Sequence, residues 1–275
     1  MILSCLPVSY FSRITGGEMT VGDWAREGRS VGLDAVDISI LFLEGKSRAE
    51  LQGIRLDVEA AGLHIACATT YPDFTHPDPA KRKAERAGFT QHLAALSAVG
   101  TRFVRITAGQ AHPDVDREDG VRWAIDGIVS SIDAAEQAGI RLVFENHAKP
   151  GVWRYADFAF PSDIFLEIAR QLSGTPVKLL FDTANPLAYG DDPRRLLEKV
   201  IDRVAVVHAS DTAVEGKLQP VTIGGGLVPY ADLFGMLKQS GFDGLISIEE
   251  ASNTGRSGVV EAVRFVRSVW ESAAL

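Results

Sequence analysis

The 275-residue sequence predicts a single-domain α/β protein built as a closed (β/α)8 barrel. Eight short apolar runs alternate with longer amphipathic stretches, which is the element order of such a barrel. The runs are unbroken rather than alternating, as in parallel strands that are buried on both faces. Five glycines, each between a predicted helix and the next strand, mark helix ends. No linker or composition shift divides residues 1–275, so we expect one domain.

The elements follow in chain order. Strands are predicted at residues 2–6, 35–39, 64–69, 103–107, 142–145, 177–182, 204–208 and 245–249. Helices are predicted at 80–99, at 119–138, which begins with acidic residues and has apolar residues at helical spacing, and at 259–273. A doubly wound open sheet is the competing fold. The sequence disfavours it because no Gly-x-Gly-x-x-Gly follows the first strand and no Walker loop occurs.

Composition excludes several classes of protein. An apolar share of 46% in 275 residues can bury a full core, which excludes disorder and small disulfide scaffolds. The net charge of −8 disfavours a nucleic-acid surface. Only two cysteines are present, Cys5 and Cys67, and both lie in apolar stretches. We therefore expect free core thiols in a reducing compartment and no disulfide framework. The sequence has neither a membrane-length apolar run nor the basic start of a signal peptide, so we expect a soluble cytoplasmic protein.

Four consecutive predicted strands end on a residue type that binds metal ions. These residues are Glu145, Asp182, His208 and Glu249. In a barrel the four ends meet at one mouth, where three facing carboxylates repel one another unless a cation lies between them. The oxygen-rich set with one imidazole predicts one divalent metal ion, Mn²⁺, Mg²⁺ or Co²⁺, with Zn²⁺ as an alternative. The structural alternative is that the four residues are helix caps and solvated loop residues.

The order of these four residues resembles the metal quartet of the xylose-isomerase-like TIM barrel superfamily, which contains sugar phosphate isomerases and epimerases. Gly-Leu-Asp-Ala-Val-Asp-Ile at 32–38 and Ser-Ile-Glu-Glu at 247–250 add to the resemblance. Members include ketose 3-epimerases, hydroxypyruvate isomerases, inosose dehydratases and dehydroshikimate dehydratases. The resemblance implies a metal-dependent enzyme that abstracts a proton next to a carbonyl through a metal-stabilised enediolate.

The resemblance also implies roles for the four residues. Glu145 and Glu249 are expected to transfer protons as catalytic residues, and Asp182 and His208 to serve as ligands only. The expected substrate is a small-molecule sugar or a polyol-derived ketone, and a homodimer is a further expectation because resembling barrels often pair. Isomerisation or epimerisation leads, with a dehydratase as the alternative. A non-catalytic sugar-binding barrel and an endonuclease-IV-like nuclease are less favoured.

Four further residues are candidates for substrate binding: His147, Asn185, Asp211 and Arg256. His147 follows Glu145 by two residues, and an ordinary loop histidine is its alternative. Asp211 either orients the His208 imidazole or opens the loop. Arg256 and the glycines at 224–226 lie where many barrels bind phosphate, with plain turns as the alternative.

Three positions depart from the ketose 3-epimerase pattern. Asn185 stands where those enzymes usually carry His, and Val214 where they carry Arg. Gly225 stands in the acidic position of their Gly-Glu-Gly loop. These departures argue against a ketose 3-epimerase without affecting the predicted metal site.

Overall fold

Eight parallel strands form the centre of the computed structural model, which describes residues 1–149 and 151–273. The strands are β1 (Ile2–Leu6), β2 (Val36–Ser39), β3 (Ile65–Thr69), β4 (Phe103–Ile106), β5 (Arg141–Glu145), β6 (Lys178–Asp182), β7 (Val204–Ala209) and β8 (Leu245–Glu249). Their order in the sheet is β1-β8-β7-β6-β5-β4-β3-β2. The backbone N–H groups of Asp34 and Ala35 donate to the Leu3 carbonyl at 2.9 and 3.3 Å, so the barrel is nearly closed between β1 and β2.

The helices lie between the strands. They are α1 (Phe11–Thr15), α2 (Val21–Val31), α3 (Arg48–Ala60), α4 (Pro79–Ala98), α5 (Arg117–Val129), α6 (Ile132–Gln137), α7 (Ser162–Gln171), α8 (Asn185–Tyr189), α9 (Pro193–Val200), α10 (Tyr230–Gln239) and α11 (Arg256–Ser272). Short 3₁₀ segments cover Val8–Tyr10, Ile40–Leu43, Leu172–Gly174 and Ile201–Arg203. Capping boxes at Thr20 and Ser47 satisfy the first N–H groups of α2 and α3.

The predicted fold is confirmed. All eight predicted strands are present, with bounds within one residue of the prediction. The five predicted helix-ending glycines have φ between 71° and 92°, a left-handed conformation that glycine adopts without steric cost. They are Gly32, Gly62, Gly100, Gly139 and Gly241.

The prediction of one helix over 119–138 is wrong. The segment forms two helices, α5 and α6, which are separated at Ser130 and Ser131. Both serine hydroxyls donate to the Gly127 carbonyl, at 2.8 and 2.9 Å. Serine side chains compete in this way for backbone carbonyls, which explains why the apolar periodicity continues while the helix does not.

The core has two parts, inside and outside the barrel. Side chains of the strands fill the interior as a small apolar cluster that includes Cys67, Val143, Leu180 and Val206. A larger cluster packs between the outer faces of the strands and the helices. Burial on both faces is the reason that the strands read as unbroken apolar runs. Both cysteines are buried and unpaired with each other, as predicted.

Among the described helices, none has the length and apolar composition that a membrane crossing requires.

Candidate metal centre at the carboxyl ends of the strands

The structure brings together the four residues predicted to bind a metal ion. Glu145 ends β5, Asp182 ends β6, His208 lies near the end of β7 and Glu249 ends β8. One ligand atom from each of them lies within 4.8 Å of the others. Three are 1% exposed, whereas the Glu249 side chain is 29% exposed. The pairing of β6 with β7 sets Asp182 directly beside His208.

The His208 imidazole faces two of the carboxylates with a single nitrogen. Its Nδ1 lies 3.0 Å from Glu145 Oε1 and 3.1 Å from Glu249 Oε2. Burial lowers the pKa of His208, but the charge of Glu145 and hydrogen bonds with Cys67, Glu145 and Glu249 together outweigh burial and raise the pKa well above its ordinary value. In the absence of a cation, this imidazole therefore holds a proton between the two glutamates.

Asp182 is held by three hydrogen bonds. Its Oδ1 accepts from the backbone N–H groups of Ala184 at 2.9 Å and Asn185 at 2.7 Å, and its Oδ2 accepts from the Ser210 hydroxyl at 2.7 Å. Burial and then the charges of Glu249 and Glu145 nevertheless raise its pKa to about 8. These carboxylates are too close to one another for all of them to be ionised when no cation lies between them.

The residues fit a divalent cation. Glu145 Oε2 is buried and accepts no hydrogen bond from any described residue. A cation among the four ligand atoms would occupy this acceptor and would balance the charge that otherwise requires protons on Asp182 and His208. Three carboxylates and one imidazole are the donor set of Mn²⁺, Mg²⁺ or Co²⁺ sites and are also accepted by Zn²⁺.

Arg105, on β4, is a functional candidate that the sequence analysis did not identify. The side chain is 4% exposed, and its Nε lies 3.0 Å from Glu145 Oε2. Burial raises the pKa of Glu145, but Arg105 and then His208 oppose it and lower that pKa to about 2. The signal in the sequence was a charged residue inside the apolar run Phe103–Ile106.

A cavity of about 310 Å³ opens above the quartet. Its polar side includes Arg105, His147, Asp182, Asn185, Ser210 and Glu249. Its apolar side includes Leu6, Val8, Phe11, Leu41, Leu218 and Val221. Of the two predicted catalytic residues, Glu249 lines this cavity, whereas Glu145 lies beneath it.

A larger cavity, of about 740 Å³, lies at the opposite end of the barrel. Residues at the amino-terminal ends of the strands, such as Ile2, Arg141 and Lys178, line it. No member of the quartet does. The chemistry-bearing residues therefore belong to the smaller cavity, at the barrel end where active sites form.

His147 reaches the smaller cavity and is paired with a buried carboxylate. Its Nδ1 lies 3.3 Å from Asp157 Oδ2. Asp157 is fully buried, and burial raises its pKa even though the hydrogen bond with His147 lowers it. The carboxylate of Asp157 orients the imidazole, in the manner of outer partners of metal sites and catalytic histidines. Sequence reasoning missed Asp157 because it lies ten positions after His147, in a loop.

Asn185 lines the cavity, and its backbone N–H binds Asp182. Asp211 also lines the cavity, but its carboxylate accepts the N–H groups of Gly224 at 2.9 Å, Gly226 at 3.0 Å and Val228 at 3.2 Å. A Cβ on Gly226 would lie 2.2 Å from Asp211 Oδ1. The loop at 224–226 thus folds around the Asp211 carboxylate. This carboxylate accepts the backbone N–H groups that the sequence analysis considered for binding a phosphate.

Arg256 is not brought to the cavity. Its side chain is 55% exposed, donates to Ser30 Oγ at 3.0 Å and lies 3.9 Å from Glu27. Both partners belong to α2, on the outside of the barrel. The arginine joins α11 to α2 instead of lining the cavity, because Ser30 and Glu27 of α2 are its partners.

Comparison with known proteins identifies the family. The model of the xylose isomerase-like TIM barrel family matches residues 25–269. The chain belongs to this family. An L-ribulose-5-phosphate 3-epimerase of Salmonella paratyphi C is 29% identical over 251 residues, which cover 87% of this chain and 85% of the relative. That of Shigella boydii serotype 18 is 27% identical over 168 residues, which cover 60% of this chain and only 56% of the relative.

The fold is shared with solved structures at low sequence identity. The crystal structure of the IOLI protein with a bound zinc atom has a TM-score of 0.80 and 16% identity, and the match covers 99% of both chains. The match to the family model confirms the resemblance inferred from the sequence.

Proposed function

We propose that this protein is a divalent-metal-dependent sugar or keto-sugar epimerase or isomerase. The observation that carries the proposal is the convergence of Glu145, Asp182, His208 and Glu249 beneath a cavity of about 310 Å³. The relatives named L-ribulose-5-phosphate 3-epimerase support it. The reaction is abstraction of a proton from a carbon next to a carbonyl.

The four residues would hold one divalent metal ion, Mn²⁺, Mg²⁺ or Co²⁺, with Zn²⁺ as the alternative that the similar IOLI structure illustrates. Such an ion polarises a bound carbonyl and stabilises negative charge that develops on the substrate oxygens. Asp182 and His208 serve as ligands only, because hydrogen bonds from Ala184 and Ser210 already fix the Asp182 oxygens.

Glu145 and Glu249 are the proposed proton-transferring pair, and they differ in burial and in the residues that surround them. Glu249 lines the cavity and is partly exposed, so it can receive a proton from a substrate carbon and exchange it with water. Glu145 is buried, with Oε1 beside His208 and Oε2 beside Arg105. A two-base inversion requires one base on each face of the substrate, and Glu145 and Glu249 are the two carboxylates that we assign to it.

The cavity favours a small sugar or a polyol-derived ketone. Its polar side lies next to the quartet, where the hydroxyl and carbonyl oxygens of a substrate would bind. Its apolar side, which includes Val8, Phe11 and Leu218, excludes water from the reacting carbon. Water exclusion strengthens the electrostatic interactions on which proton abstraction depends.

The decisive experiment replaces each glutamate without changing its size. Glu145→Gln and Glu249→Gln, loaded with Mn²⁺, should each lose epimerisation of a panel of ketoses and inososes, followed by NMR. The exposed Glu261 on α11 provides the matched control, Glu261→Gln, which should keep wild-type turnover. Wild-type turnover in either quartet variant would rule the mechanism out.

A dehydratase is the second candidate, and the pair of His147 with Asp157 is the observation that favours it. An oriented imidazole beside the quartet can donate a proton to a departing hydroxyl, which epimerisation does not need. Deuterium exchange from heavy water without loss of water supports the epimerase. Release of water from an inosose or a similar ketone supports the dehydratase.

A homodimer and a cytoplasmic location are also proposals. Size-exclusion chromatography with light scattering and cell fractionation test them.

A further inference from the structure

Arg105 has hydrogen-bonding capacity that the described residues do not use. Of the guanidinium nitrogens, Nη1 donates to the Thr70 carbonyl at 2.9 Å, and Nε is enclosed beside Glu145 Oε2. Nη2 makes no hydrogen bond with a described residue and is not among the enclosed atoms, although the side chain is only 4% exposed. Because Arg105 lines the central cavity, Nη2 opens into it.

The guanidinium is rigidly held. It lies 4.9 Å from the centre of the Tyr71 ring, and the Tyr71 hydroxyl is itself within 3.0 Å of Thr69 Oγ1 and 3.1 Å of Ser39 Oγ. A buried arginine that is already fixed by an ion pair, a carbonyl and an aromatic ring loses little conformational entropy when it binds one more oxygen. The two N–H groups of Nη2 suit an acceptor that carries negative charge.

Charge balance indicates when that acceptor appears. Three carboxylates, a divalent cation and the Arg105 guanidinium sum to zero. When the C–H bond of the substrate breaks, the proton moves to a carboxylate such as Glu249, and the electron pair forms a C=C bond and leaves negative charge on the former carbonyl oxygen. Without Arg105 the same site would already be negative before this charge developed.

We propose that Arg105 is a catalytic residue that donates through Nη2 to the substrate oxygen on which this negative charge develops. The inference rests on the proposed function only in taking proton abstraction next to a carbonyl as the reaction. It applies equally to an epimerase and to a dehydratase. The alternative is that Arg105 does no more than hold Glu145 in place.

Binding of a matched pair of small ligands separates these roles. Glycolohydroxamate carries an anionic oxygen like that of the deprotonated substrate, whereas glycolamide is neutral and of similar size. Dissociation constants are measured by calorimetry on the Mn²⁺-loaded wild type, Arg105→Met and Arg105→Lys, together with Mn²⁺ content. Arg203→Met is the control, because Arg203 is partly buried, donates to backbone carbonyls such as that of Val177, and does not line this cavity.

Arg105→Met should weaken glycolohydroxamate about 100-fold, the usual loss when one donor to a developing oxyanion is removed. Glycolamide binding should change little, and Mn²⁺ content should be maintained, because a positive charge beside the quartet has been removed. Arg105→Lys should show an intermediate loss, and it carries the comparison if Arg105→Met does not fold. Arg203→Met should bind both ligands normally.

Unchanged glycolohydroxamate affinity in both Arg105 variants would overturn the proposal. Equal losses of glycolohydroxamate, glycolamide and Mn²⁺ would also overturn it, because they would show a purely structural role. Failure of the proposed function is a separate result: the wild type would then exchange no substrate proton, while the hydroxamate comparison would still decide the role of Arg105.

Discussion

Binding of a metal ion should expel protons from the quartet, and the affinity for Mn²⁺ should therefore rise steeply with pH. In the metal-free protein the pKa of Asp182 is raised to about 8, and that of His208 is also raised well above its ordinary value. A cation binds only the deprotonated ligands. Below pH 8 it must displace the proton on Asp182, and the cost of doing so falls as the pH rises toward that pKa.

The magnitude follows from the pKa. Two pH units below the pKa of 8, only about 1% of Asp182 is ionised, so the apparent affinity at pH 6 should be about 100-fold weaker than above pH 8. This is one log unit per pH unit from Asp182 alone. The proton on His208 steepens the dependence toward about two log units per pH unit. Above both pKa values the affinity should become constant.

Calorimetric titration in buffers of different ionisation enthalpy measures the protons directly. At pH 7 we expect between one and two protons released per Mn²⁺ bound by the wild type. Asp182→Asn removes one titrating ligand, so it should bind more weakly and release about one proton fewer. Affinity that stays constant between pH 6 and 8, with no proton release, would refute the argument that the buried carboxylates share protons.

Three further changes test the surroundings of the site. Gly226→Ala should lower the free energy of unfolding by about 1–3 kcal/mol in denaturant titrations, because the new Cβ would lie 2.2 Å from Asp211 Oδ1; normal stability would show that the loop relaxes freely. Asp157→Asn should reduce kcat about 10-fold or more at unchanged Mn²⁺ content, because His147 loses the carboxylate that orients it; an unaltered kcat would remove His147 from the mechanism. Arg256→Ala should leave KM unchanged, and a raised KM would place it at the substrate after all.

The strands and the quartet could be predicted because both depend on local patterns. A parallel strand buried on both faces is a short apolar run, and the residue at its carboxyl end faces the mouth whatever the helices do. Glu145, Asp182, His208 and Glu249 were identified from that rule alone. The break between α5 and α6 escaped prediction because Ser130 fits a helix face as well as it fits a helix end.

The remainder of the site depends on partners that are distant in the sequence. Arg105 is 40 residues from Glu145, and a lone arginine in a strand carries no sign of the carboxylate that it meets. Asp211 binds backbone N–H groups of the loop at 224–226, and because every residue type other than proline has such a group, the sequence does not mark this contact. For Arg256 the local pattern was misleading. Its position beside glycines is typical of an anion site, but the side chain is held by Ser30 on α2, away from the cavity.

The unequal settings of Glu145 and Glu249 lead to a prediction about each epimer of the substrate. Exchange of a substrate proton with heavy water needs one base on one face, whereas inversion by the proposed two-base arrangement needs both glutamates. Each Gln variant should therefore lose inversion while still exchanging the epimer whose proton faces the remaining glutamate. Exchange should be faster when that glutamate is Glu249, because it is 29% exposed and Glu145 is 1% exposed.

NMR of both epimers in heavy water, with each Mn²⁺-loaded variant, measures this directly. Glu145→Gln should exchange one epimer completely before any inversion appears, and Glu249→Gln should exchange the other epimer slowly. A single glutamate that controls the exchange of both epimers would contradict the two-base arrangement. It would instead favour a one-base reaction, in which the buried Glu145 acts only as a ligand held between Arg105 and His208.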